Sequence, residues 1–119
     1  MKEIVKNKIK KWLLDIDNQE ILPNNIVALN FNISEPYELG LVGASWYDDD
    51  DPDWACEEDF VPENNFLLLE EISKEENWEE VLAMIAEILR EIVLENSIKL
   101  FDVEHIAVGF VDGDLEIVK

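Results

Sequence analysis

The sequence predicts an α+β fold in two layers: an antiparallel sheet of four to five strands covered by two amphipathic helices, in the order α-β-β-(β)-α-β-β. Three observations lead there. Two segments repeat their apolar residues at helical spacing, two others alternate apolar with small or polar residues, and Asp112-Gly113 separates the last two extended runs. Ile4, Val5, Ile9, Trp12, Leu13 and Ile16 fall on one side of a 3.6-residue helix with most lysines on the other, which predicts a helix over residues 2–17. Asp17-Asn18 opens a polar break, and Pro23-Asn24-Asn25 stops any helical continuation. In residues 26–33, Val27, Leu29, Phe31 and Ile33 alternate with Ala28, Asn30 and Asn32, the pattern of a strand with one buried face. Ser34-Glu35-Pro36 supplies a turn into a second strand over 37–47, and the two are expected to form a hairpin. Gly40 and Gly43 inside that strand imply a bulge or the close approach of another backbone.

Residues 48–63 hold nine acids and two prolines in sixteen positions without periodicity, and are read as a loop. Residues 66–69 are a short apolar run assigned to a strand. Ser73 followed by Glu76 resembles a capping box, and Glu75, Glu76, Glu79 and Glu80 favour the positive end of a helix dipole. The apolar set Trp78, Val81, Leu82, Ile85, Leu89, Ile92 and Val93 then predicts a helix ending near Asn96, with Trp12 and Trp78 both in the core. Runs over 103–111 and 115–118 flank Asp112-Gly113, a pair that tolerates the positive φ of a type I′ turn, and form a C-terminal hairpin.

A chain of 119 residues with 48% apolar content, four glycines and four prolines is long enough to bury a core and too apolar for the acidic disordered class, so one folded domain is expected. Twenty-nine acidic against nine basic residues leave a net charge of −20, which excludes nucleic acid and anionic lipid as natural ligands and points to a basic partner. Five of the nine cations, Lys2, Lys6, Lys8, Lys10 and Lys11, lie in the first eleven residues, where a solvated face or internal compensation is expected. The single cysteine excludes an internal disulfide and fits a reducing compartment. No apolar run approaches the roughly eighteen residues of a bilayer span, and the N-terminus lacks the apolar core of a signal peptide, so a cytoplasmic protein is expected.

The catalytic inventory is thin. His105 has no second histidine to share a metal, and is read as an ordinary residue at the edge of its strand. Cys56 is surrounded by Asp53, Glu57, Glu58 and Asp59, which oppose formation of a thiolate. Phosphate-cradling glycine motifs and the GxSxG signature are missing from the sequence. Asp49, Asp51 and Asp53 have the 1, 3, 5 spacing of a calcium loop, but Trp54 stands where that loop needs glycine and Phe60 where it needs a bidentate glutamate. The expectation is therefore a non-enzyme with no metal and no cofactor.

The acid run makes better sense as a contact surface. Clustered carboxylates repel one another, and a partner that neutralises them is one reason for a chain to carry them. Trp46, Tyr47, Trp54 and Phe60 bracket the run, and aromatic anchors beside charges have the composition of an interface hot spot. The expected partner-binding residues are Tyr47, Asp48, Asp49, Asp50, Asp51, Asp53, Trp54, Glu57, Glu58 and Asp59. For the rings a second reading stands beside this one: Trp46 closes the end of the sheet, and Trp54 folds back over the core as a lid.

The acidic α+β domain, the run GASWYDDDDPDWACEEDF over residues 43–60 and the glutamate-rich second helix together resemble small immunity proteins of bacterial polymorphic or contact-dependent toxin systems. That resemblance implies a cytosolic, non-enzymatic inhibitor that binds the toxin domain of its own system, often a nuclease. It carries over no individual residue. Two alternatives use the same charges: a nucleic-acid mimic aimed at a DNA-binding protein, and an acidic adaptor subunit of a larger assembly.

Overall fold

The computed structural model describes every residue except Pro36 and Asp112, so the turns expected at Ser34-Glu35-Pro36 and Asp112-Gly113 each include a position outside the described residues. Helix α1 (Lys2–Gln19) buries Val5, Ile9, Trp12, Leu13 and Ile16 of the stripe read from the sequence, while Ile4, also assigned to it, is exposed at the margin of the buried face. It runs past the expected break at Asp17, whose carboxylate serves another element: it accepts from the backbone N–H groups of Lys99 (2.9 Å) and Leu100 (3.1 Å) at a short 3-10 turn, Lys99–Phe101. Helix α2 (Trp78–Glu95) is capped by Asn77, whose side chain accepts from Glu79 N–H at 2.8 Å. The expected capping box is thus displaced. Ser73 Oγ accepts instead from Glu75 N–H in a preceding turn, because the backbone there has not yet entered the helix.

Strands β1 (Ala28–Ser34), β2 (Glu38–Ala44), β3 (Phe66–Leu68), β4 (His105–Phe110) and β5 (Glu116–Ile117) form one sheet in the order β3-β2-β1-β4-β5. Neighbours pair antiparallel, as expected, except at the centre, where β1 and β4 run parallel with Ala28 opposite His105 and Phe31 opposite Val108. Periodicity carries no information about strand direction. The long crossover through α2 returns the chain beside β1 in the same sense, the connection a parallel pair requires. β2 continues through both glycines without a bulge. An added Cβ at Gly40 would meet the Phe66 ring at 3.0 Å and one at Gly43 would meet Phe60 and Ile26 at 3.1 Å, so close approach is the reason for both.

The helices cover one face of the sheet. Leu29, Phe31, Ile33, Leu39, Leu41, Ile106 and Val108 point into that layer and are buried. Phe31 is met edge-on by Trp12 and Phe101, with centroids 6.3 and 6.0 Å away, and Trp12 Nε1–H donates to the Asn64 carbonyl at 2.8 Å. Trp78 departs from its expected place in the core. It is the first residue of α2, before the helix has passed under the sheet, and is 52% exposed with its ring edge-on to Phe110.

α2 ends on Asn96 in the left-handed region, φ 53°, where its backbone N–H donates to the Val93 carbonyl. A β-carbon without the asparagine side chain's local bonding is strained there. Asn96→Ala is expected to lower stability by about 1 kcal/mol, whereas Asn96→Gly leaves it unchanged or raises it, as read from urea unfolding midpoints.

Candidate functional site

The acidic segment leaves the end of β2 and crosses the sheet face opposite the helices. Its base is closed twice. Gly43 and Phe60 exchange both backbone hydrogen bonds (2.8 and 3.1 Å), and one Asp59 carboxylate oxygen accepts from Ser45 N–H (2.9 Å) and Ser45 Oγ–H (2.8 Å). Those bonds, the backbone one foremost, hold the Asp59 carboxyl below the usual carboxylate range. Between the closures the chain turns through a 3-10 helix, Pro52–Cys56, capped by Asp51, which accepts from Asp53 N–H at 3.0 Å. Asp48 likewise accepts from Asp50 N–H at 2.8 Å. The acid run is therefore shaped by its own carboxylates.

Underneath, the sheet prepares a seat. Where the strands present Leu29, Phe31 and Val108 to the helices, their alternate positions on this face are Ala28, Ala44 and Ala107, and the Trp54 indole packs over those alanines with Ala55. Both faces of β1 are buried at this end, although the alternation over residues 26–33 suggested only one. Trp54 is 2% exposed, so the reading of this ring as a contact residue is corrected: it is the lid, and it holds the acidic turn against the sheet. Tyr47 joins the lid to the surface. Its ring stacks on His105 (centroids 3.6 Å, planes 9° apart) and tilts against Trp54 at 4.9 Å, while its hydroxyl donates to Asp49 at 2.6 Å. That bond, then burial and the charges of Asp49 and Asp48, push the phenol up to about 12. Trp46 is half-buried against the same cluster, at the end of the sheet.

Asp48, Asp49, Asp50, Asp53, Glu58 and Asp59 are exposed, and Asp51, Glu57 and Tyr47 are partly so. The structure therefore brings nine of the ten expected residues to one side of the molecule and withdraws Trp54. Cys56 is exposed at the end of the 3-10 turn. Among the described residues, no three His, Cys, Asp or Glu side chains are placed to hold a metal ion. Phe66, Leu68, Val111 and Ile117, half exposed or more on β3 and the C-terminal hairpin, were not singled out from the sequence. The signal for two of them was present, since Phe66 and Leu68 flank buried-side Leu67 at the two-residue period of a strand.

Charge pairing divides the molecule. On the helical side Lys2 meets Glu87 (2.8 Å) and Glu91 (2.6 Å), Lys6 meets Glu91 (3.1 Å) and Glu95 (2.8 Å), Lys10 meets Glu95 (2.6 Å), and Lys8 meets Glu71 (3.0 Å). Four of the five lysines of α1 are thus compensated internally by acids of α2 and the segment before it, and Lys11 is exposed. Hydrogen bonds donated by Lys10 and Lys6 pull Glu95 down from 4.5 to about 2, and those that Lys2 donates to Glu87 and Glu91 raise its own value to about 12. Among the described residues, none of the nine acids over 48–63 lies within ion-pairing distance of a Lys or Arg. Also among the described residues, no helix is long and apolar enough to cross a membrane. Comparison of the chain with protein-family models, curated proteins and solved structures finds no match.

Two outcomes follow from this geometry. Trp54→Ala is expected to cost about 3–5 kcal/mol of stability, the usual range for emptying a buried indole site, and to expose the 48–59 backbone to hydrogen exchange before the helices open. A carboxylate whose folded value is depressed stabilises the fold above its ordinary value and loses that contribution as pH falls toward the folded one. For Glu95 the window runs from 4.5 down to about 2. Glu95→Gln is therefore expected to be less stable than the parent at neutral pH and to lose less stability across that window, measured by urea unfolding at stepped pH.

Proposed function

We propose that this chain is an immunity-type inhibitor, a non-catalytic cytoplasmic protein that binds and neutralises a cognate basic toxin domain, in the first place a nuclease, through its acidic loop. The observation that carries this reading is the division of charge. Four of the five lysines of α1 are paired with glutamates on the helical side, while among the described residues Asp48, Asp49, Asp50, Asp51, Asp53, Glu57, Glu58 and Asp59 have no Lys or Arg within ion-pairing distance.

A nuclease presents lysines and arginines to phosphate, and a dense carboxylate surface is attracted to the same side chains. Opposite charge accelerates encounter, and the shape of the loop, set by its turns and by the Trp54 lid, selects the partner. Tyr47 contributes its exposed edge and hydroxyl end, already committed to Asp49. Trp54 acts from beneath by holding the loop's form. Specificity then resides in loop geometry, and speed in net charge.

Replacing Asp49, Asp50 and Asp51 together by lysine reverses three charges and also removes the Tyr47–Asp49 bond and the Asp51 cap, so amide spectra of the variant must first show the Trp54 lid in place. Stopped-flow association with the cognate toxin domain is expected to slow by about ten- to a thousandfold at low salt, and its dependence on ionic strength to flatten. Unchanged association kinetics in that variant would remove the loop from the contact. Displacement of the partner by DNA of any sequence would favour the nucleic-acid mimic instead.

A further inference from the structure

Past the Trp54 lid, the second face of the sheet lies open. A cleft of about 520 Å³ is bounded by Asn30 and Asn32 on its floor, Phe66 on one side and Val111 and Leu115 on the other, with Asp53 and Glu58 at its edge. Phe66 is 56% and Val111 70% exposed, large apolar surface beside unpaired carboxylates. Asn30, by contrast, is 2% exposed. Its amide is oriented by its neighbours: Nδ2–H donates to the Asn32 side-chain oxygen (2.9 Å) and to the Ala55 carbonyl (3.3 Å), and the carbonyl can only accept. Oδ1 is left buried with no partner. Its neighbours across the sheet are Val42 and Ala107, the Ala55 carbonyl lies over its amide, and the residue itself lines the cleft.

The occupant must supply an N–H or O–H donor to that oxygen, apolar contact to Phe66 and Val111, and positive charge for Asp53 and Glu58. A second copy of the chain fails the last condition, since each carries a net charge of −20. A neutral apolar ligand leaves the carboxylates desolvated and the acceptor unpaired. Arginine meets all three requirements in one side chain, with an apolar stem, a planar cation that lies well on an aromatic ring, and several forked donors.

We propose that this cleft receives an arginine-bearing segment of the protein partner, with the guanidinium along Phe66 and an N–H donated to Asn30 Oδ1, while Asp53 and Glu58 neutralise the segment's charge. The proposal rests on the reading of the partner as a basic protein and assigns that partner a second point of attachment, away from the 48–51 run.

The test is a titration of the isotope-labelled full chain with acetyl-Leu-Arg-Leu-Arg-Leu-amide, followed by nuclear magnetic resonance. The control peptide has citrulline in place of arginine, which keeps shape and removes charge. Saturable shifts are expected at the Asn30 side-chain amide and at Asn32 and Val42, with the citrulline peptide at least about tenfold weaker. Glu58→Gln, at an exposed position, should weaken binding several-fold without moving the unfolding midpoint, and Phe66→Ala should weaken it several-fold while giving up the ring's packing on Gly40. Asn30→Leu removes the orphaned acceptor together with the bonds its amide donates to Asn32 and Ala55, so it should unfold earlier than the parent and, at a temperature where it is still folded, bind the peptide less well.

Shifts confined to residues 48–51, equal affinity for the citrulline peptide, or no saturable shift at Asn30 up to a few millimolar would each overturn the cleft assignment. The immunity reading fails by a different result, unaltered toxin association after charge reversal of the loop, and that result leaves the peptide titration standing.

Discussion

An indole seated on three alanines ties the acidic loop to the rest of the molecule. Like charges packed into sixteen residues push the segment away from itself and from the acidic body. The opposing force is apolar burial: Trp54 over Ala28, Ala44 and Ala107, with Tyr47 stacked at the border on His105. The alanines matter as much as the ring. Larger residues at those positions would lift the indole away from the sheet, and the loop's two basal closures at Gly43–Phe60 and Ser45–Asp59 would then hold a segment with nothing beneath it.

The two sheet faces solve different problems. On the helical face, branched and aromatic side chains fill the layer, and the lysine–glutamate pairs run along the seam where α1 meets α2 and the preceding segment. Exposed pairs of this kind each contribute little, yet several of them along one seam engage four of the chain's nine cations. The consequence lies on the other side of the molecule. With four of the five lysines of α1 engaged there, the field around the loop is dominated by its carboxylates.

Much of this was legible in the sequence. Both helices were, because a buried stripe at positions such as Val5, Ile9, Trp12 and Ile16 repeats with the helical period whatever lies above it. The strands were legible in existence and not in direction, since alternation reads the same for the parallel β1–β4 pair as for a hairpin. Trp78 was placed in the core by its spacing, but spacing does not say where the sheet ends relative to the first turn of α2. The carboxylates of the loop were legible because unpaired charge stays at the surface. Trp54 was not, because an anchor for a partner and a lid for the sheet require the same side chain, and only the alanines opposite, scattered over three strands, distinguish them. Asn30 was hidden for a related reason: an asparagine at an alternate strand position reads as solvent-facing until Ala55 is seen to cover it.

The parallel pairing at the centre of the sheet has a kinetic consequence. β1 belongs to the first third of the chain and β4 to the last, yet the two lie side by side at the centre of the sheet. The β1–β2 hairpin can assemble early, but its open edge waits for nearly the whole polypeptide to emerge before β4 completes the middle of the sheet. High contact order of this kind slows folding and prolongs the time during which apolar edges are exposed. During that interval the surplus of negative charge spread along the chain keeps unfinished molecules apart, so the composition behind the proposed cationic partner also guards the nascent protein against self-association.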